Sequence, residues 1–326
     1  MLRYMCKRLL RSFVTLFIII VIIFSLLRLM PEEGYFDNYD KLTPTQIENK
    51  LTLMGLRDPL HTQLIKFIKG LLQGNLGVSN RYRRNAPITE ILGPKMIVSL
   101  KFGLSAVALS LPMGMVLGIL MSRKKGGAWD KFGNLFIVFI QAVPSAVYYL
   151  FIQLYGTKAI GTSMLYDANK PLTMVMPVFS LALPSIASYA MWLRRYMIDE
   201  SNKDYIKLAK AKGVPNSVIW FRHVFRNSVT PMVNLIPGSI LMTISGSIYV
   251  ESLYSIPGMG GLLVDVIKRQ DNTMVQALVI IYSIIGILGL ILGDMLMALV
   301  DPRISFAKKE AVSYTHLRAH ETSQDL

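Results

Sequence analysis

Cysteine and histidine are scarce in this sequence, and their scarcity excludes several kinds of site. The chain of 326 residues has one cysteine, Cys6, so no disulfide can form within it. Its histidines, His61, His223, His316 and His320, do not have the spacing of zinc ligands, and we expect no metal site. A G-x-x-x-x-G-K-[ST] sequence and a recognisable nucleophile motif are also missing. We therefore expect a chain that is not an enzyme and that binds no cofactor itself.

Hydrophobic residues are abundant. They make up 52% of the chain, and the mean hydropathy is +0.44, which favours a membrane protein over a soluble one. The net charge of +15 would also suit a nucleic-acid-binding protein. However, the basic residues lie beside long apolar runs instead of forming one basic and aromatic surface. We interpret them as determinants of membrane topology and expect no nucleic-acid partner.

Long stretches without Asp, Glu, Lys or Arg predict membrane spans, because a helix crosses the hydrocarbon core with about 20 apolar residues. The shorter stretch from Ser12 to Leu27 spans only if Arg28 reaches the interface. No small-residue cleavage site follows it, so we interpret it as an uncleaved helix and not as a signal peptide. The sequence thus predicts an all-α integral membrane protein with six transmembrane helices. The five longer stretches are 102–122, 132–157, 171–193, 227–250 and 272–293.

The loops between these stretches differ in basic charge. The loops on the side of the N-terminus carry far more Lys and Arg than the short loops on the other side, and basic loops stay in the cytoplasm. We predict a multi-pass membrane protein with both termini in the cytoplasm. Four parts follow from this topology: the N-terminus and first helix (1–30), an extracytoplasmic segment (31–101), a five-helix core (102–302) and a tail (303–326).

One amphipathic helix is predicted in the segment 31–101. Asp58 is expected as its N-cap, Pro59 as its first residue, and Gly74 follows its end. Its apolar residues recur at helical spacing. Packing on the bundle and docking of a partner both remain open for this face. These apolar residues are Leu60, Leu64, Phe67, Ile68 and Leu71.

The loop 196–228 is too long and too patterned for a simple turn. Ser201 or Asn202 is expected to cap a short basic helix that Gly213 ends. A second helix is expected from Asn216, with Val218, Phe221, Val224 and Phe225 on one side. Contact with a protein partner and contact with anionic lipid both fit these features. The residues expected on one face of the first helix are Tyr205, Leu208, Ala209 and Lys212.

Polar residues near the middle of the span 132–157 are candidates for a transport path. They are Gln141, Pro144 and Ser145, although such groups more often make contacts between helices. Glu251 and Asp294 lie near the ends of their spans, and we interpret both as structurally paired. The tail 313–326 is unrelated in composition to the span before it. We interpret it as a translated sequencing adapter, with a disordered native tail as the alternative.

Several motifs resemble one transporter family. DYIKLAKAKG at 204–213, followed by FRHVFRN at 221–227, resembles the cytoplasmic EAA loop of ABC importer permeases. Further motifs resemble the oligopeptide, dipeptide and nickel branch, and within it the first of the two permease subunits of the oligopeptide type. These motifs are MLRY at the start, GLRDPL at 55–60, GNLG at 74–77, VESLYSIPGMG at 250–260 and DPR at 301–303.

The resemblance implies a type I ABC importer transmembrane domain in the bacterial plasma membrane that carries oligopeptides by alternating access. Dipeptides, nickel chelates or other small solutes are the alternative cargo. It also implies a second homologous permease subunit, two ATPase subunits that bind the ATP, an extracytoplasmic solute-binding protein and membrane lipid as partners. The general motif has Glu and two Ala where this chain has Lys207, Leu208 and Ala209, so a charge contact made by that Glu is absent or reversed here. The implied coupling residues are Tyr205, Lys207, Leu208, Ala209, Gly213 and His223.

Two other classes fit less well. A membrane-embedded enzyme needs convergent acid, base or metal ligands in its spans, and the sequence shows none. A passive channel would tolerate the same number of spans but does not explain the patterned loop 196–228.

Overall fold

The computed structural model describes residues 2–36, 38–233 and 235–300, and these residues are mostly helical. A hairpin of two short strands, β1 (Val78–Ser79) and β2 (Ala86–Pro87), pairs antiparallel before the fourth helix. The helices are α1 (Leu2–Leu27), α2 (Pro44–Leu53), α3 (Leu60–Leu72), α4 (Ile88–Arg123), α5 (Ala128–Ala142), α6 (Ser145–Phe151), α7 (Thr157–Ala159), α8 (Val175–Ser201), α9 (Asp204–Ala211), α10 (Asn216–Val218), α11 (Arg226–Val233), α12 (Leu235–Met242), α13 (Ile248–Leu253), α14 (Met259–Lys268) and α15 (Asn272–Val300).

Four helical stretches of the described residues are long and apolar enough to cross a membrane: Leu9–Leu27, Ile88–Arg123, Pro171–Ser201 and Asn272–Leu296. The stretch predicted at 132–157 is not one straight helix, because α5 and the helical run from Ser145 to Ala159 meet at an angle of 108°. This bent pair brings the number of spans to five at most. A count of six therefore remains a prediction.

The stretch predicted at 227–250 is divided among α11, α12, a 3-10 turn (Thr243–Ser245) and α13. Gly246, with φ of +70°, ends the turn, and the Ser247 hydroxyl then caps α13 by accepting from the Val250 N–H. Uncharged composition predicted one helix here. A residue with positive φ cannot continue a right-handed helix, so the run is interrupted.

Helix α4 begins well before the predicted span. It starts at Ile88 and continues through Lys95 and Lys101, so the predicted boundary at residue 101 falls inside a helix. Charged residues mark where a span leaves the hydrocarbon core, but they do not interrupt a helix.

The pair α4 and α8 forms the centre of the bundle, and two glycines allow the close approach. A Cβ on Gly114 would lie 2.6 Å from the Cβ of Tyr189, and a Cβ on Gly118 would lie 3.0 Å from the carbonyl oxygen of Ala190. Small residues four apart on one face let two helix backbones touch. Gly114 and Gly118 thus let the backbones of α4 and α8 pack closely.

The segment 31–87 is held to the start of α15. The buried carboxylate of Asp271 accepts from the Ser79 hydroxyl at 2.6 Å and from the backbone N–H groups of Asn80, Arg81 and Tyr82 at 3.1, 2.9 and 3.0 Å. Successive N–H groups of a turn form a cradle for an anion, and here a side chain fills it. The hairpin turn is thereby fixed over one end of the bundle.

The predicted amphipathic helix exists as α3, but its start differs. Pro59, with ψ of 142°, occupies the cap position, so Asp58 is not the N-cap. The Asp58 carboxylate instead pairs with the Lys66 ammonium group at 2.6 Å. The ring of Phe67 lies 5.3 Å from that of Phe24 on α1, so this face packs on the bundle. Whether it also docks a partner remains a prediction.

Exposed ion pairs brace α2. Arg57 contacts Glu48 and Glu32, each at 2.7 Å, and all three side chains are largely in solvent. Hydrogen bonding from Arg57 lowers the pKa of Glu48 below its ordinary value. The free energy of such exposed pairs is small because water screens them.

Candidate functional site

The loop 196–228, called the basic loop below, contains the end of α8 and the short helix α9. Helix α8 continues to Ser201 and ends on Asn202, so Lys203 precedes α9 and neither predicted cap residue serves. The predicted end is confirmed: Gly213 has φ of +77° and donates to the Lys210 carbonyl at 3.0 Å, while Val214 donates to Ala209 at 3.1 Å. This pair of bonds is a Schellman ending, which requires a left-handed residue and favours glycine.

One face of α9 packs inward. Ile206 is fully buried in a cluster with Met197 of α8 and with Ile219 and Val224, and Ala209 packs against the same cluster. The predicted common face of Tyr205, Leu208, Ala209 and Lys212 is therefore split, with Ala209 turned toward the protein. Burial of this face fixes α9 to the end of α8.

Outside this packed face, apolar side chains of α9 and of the helical segment after Gly213 lie in solvent. Leu208 is 55% exposed, Tyr205 41%, Val218 39% and Phe221 64%. We call these four residues the coupling surface. The predicted single side of the second helix is also split, because Val224 is buried. Residues Ile219–Phe225 form a π-helix, whose wider turn shifts the angular positions that α-helical spacing predicts.

A polar contact ties the three helices of the basic loop together. The Tyr205 hydroxyl donates to Glu200 at the end of α8, and the Asn227 amide of α11 donates to the Tyr205 oxygen at 2.8 Å and to Glu200 at 3.1 Å. Partial burial, with Glu200 adjacent, raises the pKa of Tyr205. The ring of His223 meets that of Tyr205 edge-on at 6.3 Å. Glu200 and Asn227 were not singled out in the sequence, because their contact depends on three separate helices.

The remaining predicted coupling residue, Lys207, contacts its own helix. Its ammonium group lies 2.8 Å from Asp204, and both side chains are mostly exposed. A pair three residues apart on a helix contributes little to stability. Lys207 thus carries an accessible positive charge beside Leu208.

A buried ion pair connects α8 to α5 near the basic loop. The Arg194 guanidinium donates to both carboxylate oxygens of Asp130, at 2.5 and 2.9 Å. The second oxygen also accepts from the Gly126 N–H at 2.8 Å, and Asn134 donates to the first at 3.0 Å. Such a bidentate, fully satisfied pair is rigid. The pair therefore holds α8 to the start of α5.

The three candidate path residues lie at the bend between α5 and α6. Pro144 caps α6, Ser145 begins it, and Gln141 in the last turn of α5 is exposed. The Gln141 amide donates to the Met191 sulfur of α8 at 3.5 Å, a contact between helices. A proline at the bend removes an N–H and permits the break. Their role in transport remains a prediction.

Glu251 is buried, and its four partners are all donors. One carboxylate oxygen accepts from the Ser99 hydroxyl at 2.7 Å and the Ser247 N–H at 3.3 Å. The other accepts from the N–H groups of Gly260 and Gly261 at 2.7 and 3.1 Å. The predicted structural pairing of Glu251 is confirmed, with a hydroxyl and backbone groups in place of Lys or Arg. Asp294 of α15 lies at a cavity described below.

Among the described residues, no group of three His, Cys, Asp or Glu is arranged to hold a metal ion. The tail 303–326 lies outside the described residues.

Comparison with known proteins agrees with this architecture. Residues 114–306 match the family described as binding-protein-dependent transport system inner membrane component, and residues 1–88 match its N-terminal part. The crystal structure of an amino acid ABC transporter with histidines has a TM-score of 0.51 at 17% identity, with 66% of this chain and 95% of that chain covered. At that identity the likeness shows the fold alone.

Relatives align with almost the whole chain. The dipeptide transport system permease protein DppB of Lactococcus lactis is 32% identical over 93% of this chain and 99% of its own length. The oligopeptide transport system permease protein OppB of Haemophilus influenzae is 29% identical over 94% of this chain and 100% of its own. The chain therefore belongs to the family of inner membrane components of binding-protein-dependent transport systems.

Proposed function

We propose that this chain is a permease subunit of an ATP-driven peptide importer, in which the basic loop receives the motion of an ATPase. The relatives named above are dipeptide and oligopeptide permeases, which supports peptides as cargo. A family of binding-protein-dependent systems implies an ATPase and a solute-binding protein as partners. We also propose that a second, homologous permease chain pairs with this one and that both termini lie in the cytoplasm.

The coupling surface is the observation that carries this proposal. Tyr205, Leu208, Val218 and Phe221 leave apolar area in solvent on a loop that also carries exposed lysines. Clustered apolar side chains in water mark a contact with another molecule. Because the inner face of α9 is buried against α8, a partner that moves the coupling surface also moves α8.

The transmission route is short. The contact of Glu200, Tyr205 and Asn227 joins α8, α9 and α11, and the pair of Arg194 with Asp130 joins α8 to α5. A coupling free energy between two sites needs elements that move together. We infer that α8 is the element that changes the path when the ATPase moves.

The test changes the exposed face of α9 and leaves its packed face intact. Leu208→Glu places a charge on the coupling surface, and Asn202→Asp adds the same charge to the same loop at an exposed position outside that surface. We expect Leu208→Glu to abolish uptake of labelled peptide and co-purification of the ATPase, with normal membrane insertion. Asn202→Asp should retain both. Normal uptake in Leu208→Glu would contradict the proposed coupling surface.

A further inference from the structure

A cavity of about 560 Å³ opens among α8, α12 and α15. Its lining combines apolar residues of the three helices with polar ones, and the polar ones are Ser185, Ser188, Tyr189, Ser239 and Asp294. Of the described residues that line the cavity, Asp294 is the one that carries a charge. Cavities that bind small molecules measure roughly 300–1,000 Å³. The volume therefore suits a short peptide.

Two glycines create the space. Helices α12 and α15 cross where neither has a side chain, and a Cβ on Gly289 would lie 3.0 Å from the Cα of Gly238. Both glycines belong to the cavity lining. Close crossing of the backbones holds the two helices in place, while the absence of side chains leaves room beside the crossing.

The hydroxyls on the wall are oriented by the protein. Tyr189 donates to the Ser239 oxygen at 3.2 Å, and Ser239 donates to the Leu235 carbonyl one turn earlier at 3.0 Å. In a hydrocarbon environment, polar groups are costly unless another protein group, water or a polar ligand bonds to them. Ionisable residues inside transmembrane bundles mark pathways for the same reason. A wall with hydroxyls and a carboxylate thus suits a polar solute more than lipid.

We propose that this cavity forms this chain's wall of the peptide path, and the proposal rests on the function proposed above. The serine and tyrosine hydroxyls face the amide groups of the passing peptide, and Asp294 faces its positively charged groups. Gln141, Pro144 and Ser145 do not line the cavity. The path lies along α8, α12 and α15, away from the bend that the sequence suggested.

Cysteine labelling tests the position of the path. The one native cysteine is replaced in a Cys6→Ser background, and single cysteines are introduced by Ser188→Cys, Ser239→Cys and, as the rival site, Ser145→Cys. The complete transporter with its partners is treated with a small cationic thiol reagent, which reacts with thiolates in water and not in lipid. We expect reaction at positions 188 and 239, slowed several-fold by transported peptide. Position 145 should not be protected.

The other outcomes are distinct. A Cys6→Ser transporter that assembles but imports no peptide contradicts the proposed function, and the cavity proposal falls with it. Normal import with unreactive cysteines at 188 and 239 means that packed protein or lipid fills the cavity, which overturns the proposal. Reaction without protection by peptide identifies a water-filled void only and also overturns it. Import measured before labelling excludes misfolding of either variant.

Charge selectivity tests Asp294 separately. In Asp294→Asn the ratio of import of a lysine-containing tripeptide to that of a glutamate-containing tripeptide should fall about fivefold, the effect of losing one partly solvated charge contact. The same solute-binding protein is used throughout, so its own preference cancels. Asp40→Asn, which removes the same charge at an exposed position outside the cavity lining, is the control and should leave the ratio unchanged. An unchanged ratio in Asp294→Asn would remove Asp294 from the path.

Discussion

Replacing Glu251 by glutamine should destabilise the bundle although the two side chains have the same shape. Each carboxylate oxygen of Glu251 accepts two hydrogen bonds, from Ser99 and Ser247 on one side and from Gly260 and Gly261 on the other. Glutamine has one oxygen and one NH₂ group, and the NH₂ group cannot accept. In either orientation of the amide, two of the four donors lose their acceptor.

The magnitude follows from these contacts. Glu251 is 2% exposed, so water does not replace the lost partners. A buried donor left without an acceptor costs about 1–3 kcal/mol, so two donors give roughly 2–4 kcal/mol after partial relaxation. For a domain of 150–250 residues, 1 kcal/mol shifts the melting temperature by about 2–4 °C. Glu251→Gln should therefore lower the melting temperature by at least about 4 °C.

The assay is thermal unfolding of the chain purified in detergent, followed by the loss of monodisperse protein on heating. Glu33→Gln is the matched control, because Glu33 is exposed and the same atoms change. It should melt within about 1 °C of the unsubstituted chain, as surface substitutions usually do. Equal melting temperatures for the two variants would refute the reasoning. The hydrogen bond from Ser99 to Glu251 would then also contribute nothing to the stability of the bundle.

Further predictions concern packing, helix ending and surface charge. Gly114→Ala should lower the melting temperature, because the new Cβ would lie 2.6 Å from that of Tyr189, at a cost of about 1–3 kcal/mol. Gly286→Ala should not, because its Cβ would meet nothing within 4 Å. Equal effects of the two substitutions would contradict the close contact of α4 and α8. Gly213→Val should reduce peptide uptake more than Gly213→Asn, because asparagine tolerates the φ of +77° better than a β-branched residue does. Equal uptake by the two variants would show that the Schellman ending is dispensable. Arg57→Met should leave the melting temperature unchanged within error because its ion pairs are exposed, and a clear drop would contradict that view.

The parts of the basic loop differed in how well they could be predicted. Gly213 as the end of α9 follows from local chemistry, because a glycine with Pro215 close behind it leaves few alternatives. The faces of α9 and of the following helix could not be predicted correctly. Ala209 turned inward to a cluster built from distant residues, and the π-helix Ile219–Phe225 changed the spacing.

Charge patterns marked the membrane segments but not the bends within them. A run without charge is compatible with a straight helix, with the 108° bend before Ser145 and with the interruption at Gly246. The lack of charge does not distinguish these cases, and tertiary packing selects among them. Asp130 and Arg194 lie beside uncharged runs of the sequence, and their bidentate contact became evident only when α5 and α8 were placed side by side.

The sequence by itself determined the membrane class, the positions of most apolar helices and the family, because hydrophobicity and local motifs are properties of short segments. Only the tertiary structure decided which helices touch. It brought Gly114 against Tyr189, enclosed Glu251 within four donors and gathered hydroxyls and Asp294 around one cavity. Those contacts join residues far apart in the chain, and their free energy depends on the packing of whole helices, which no local pattern encodes.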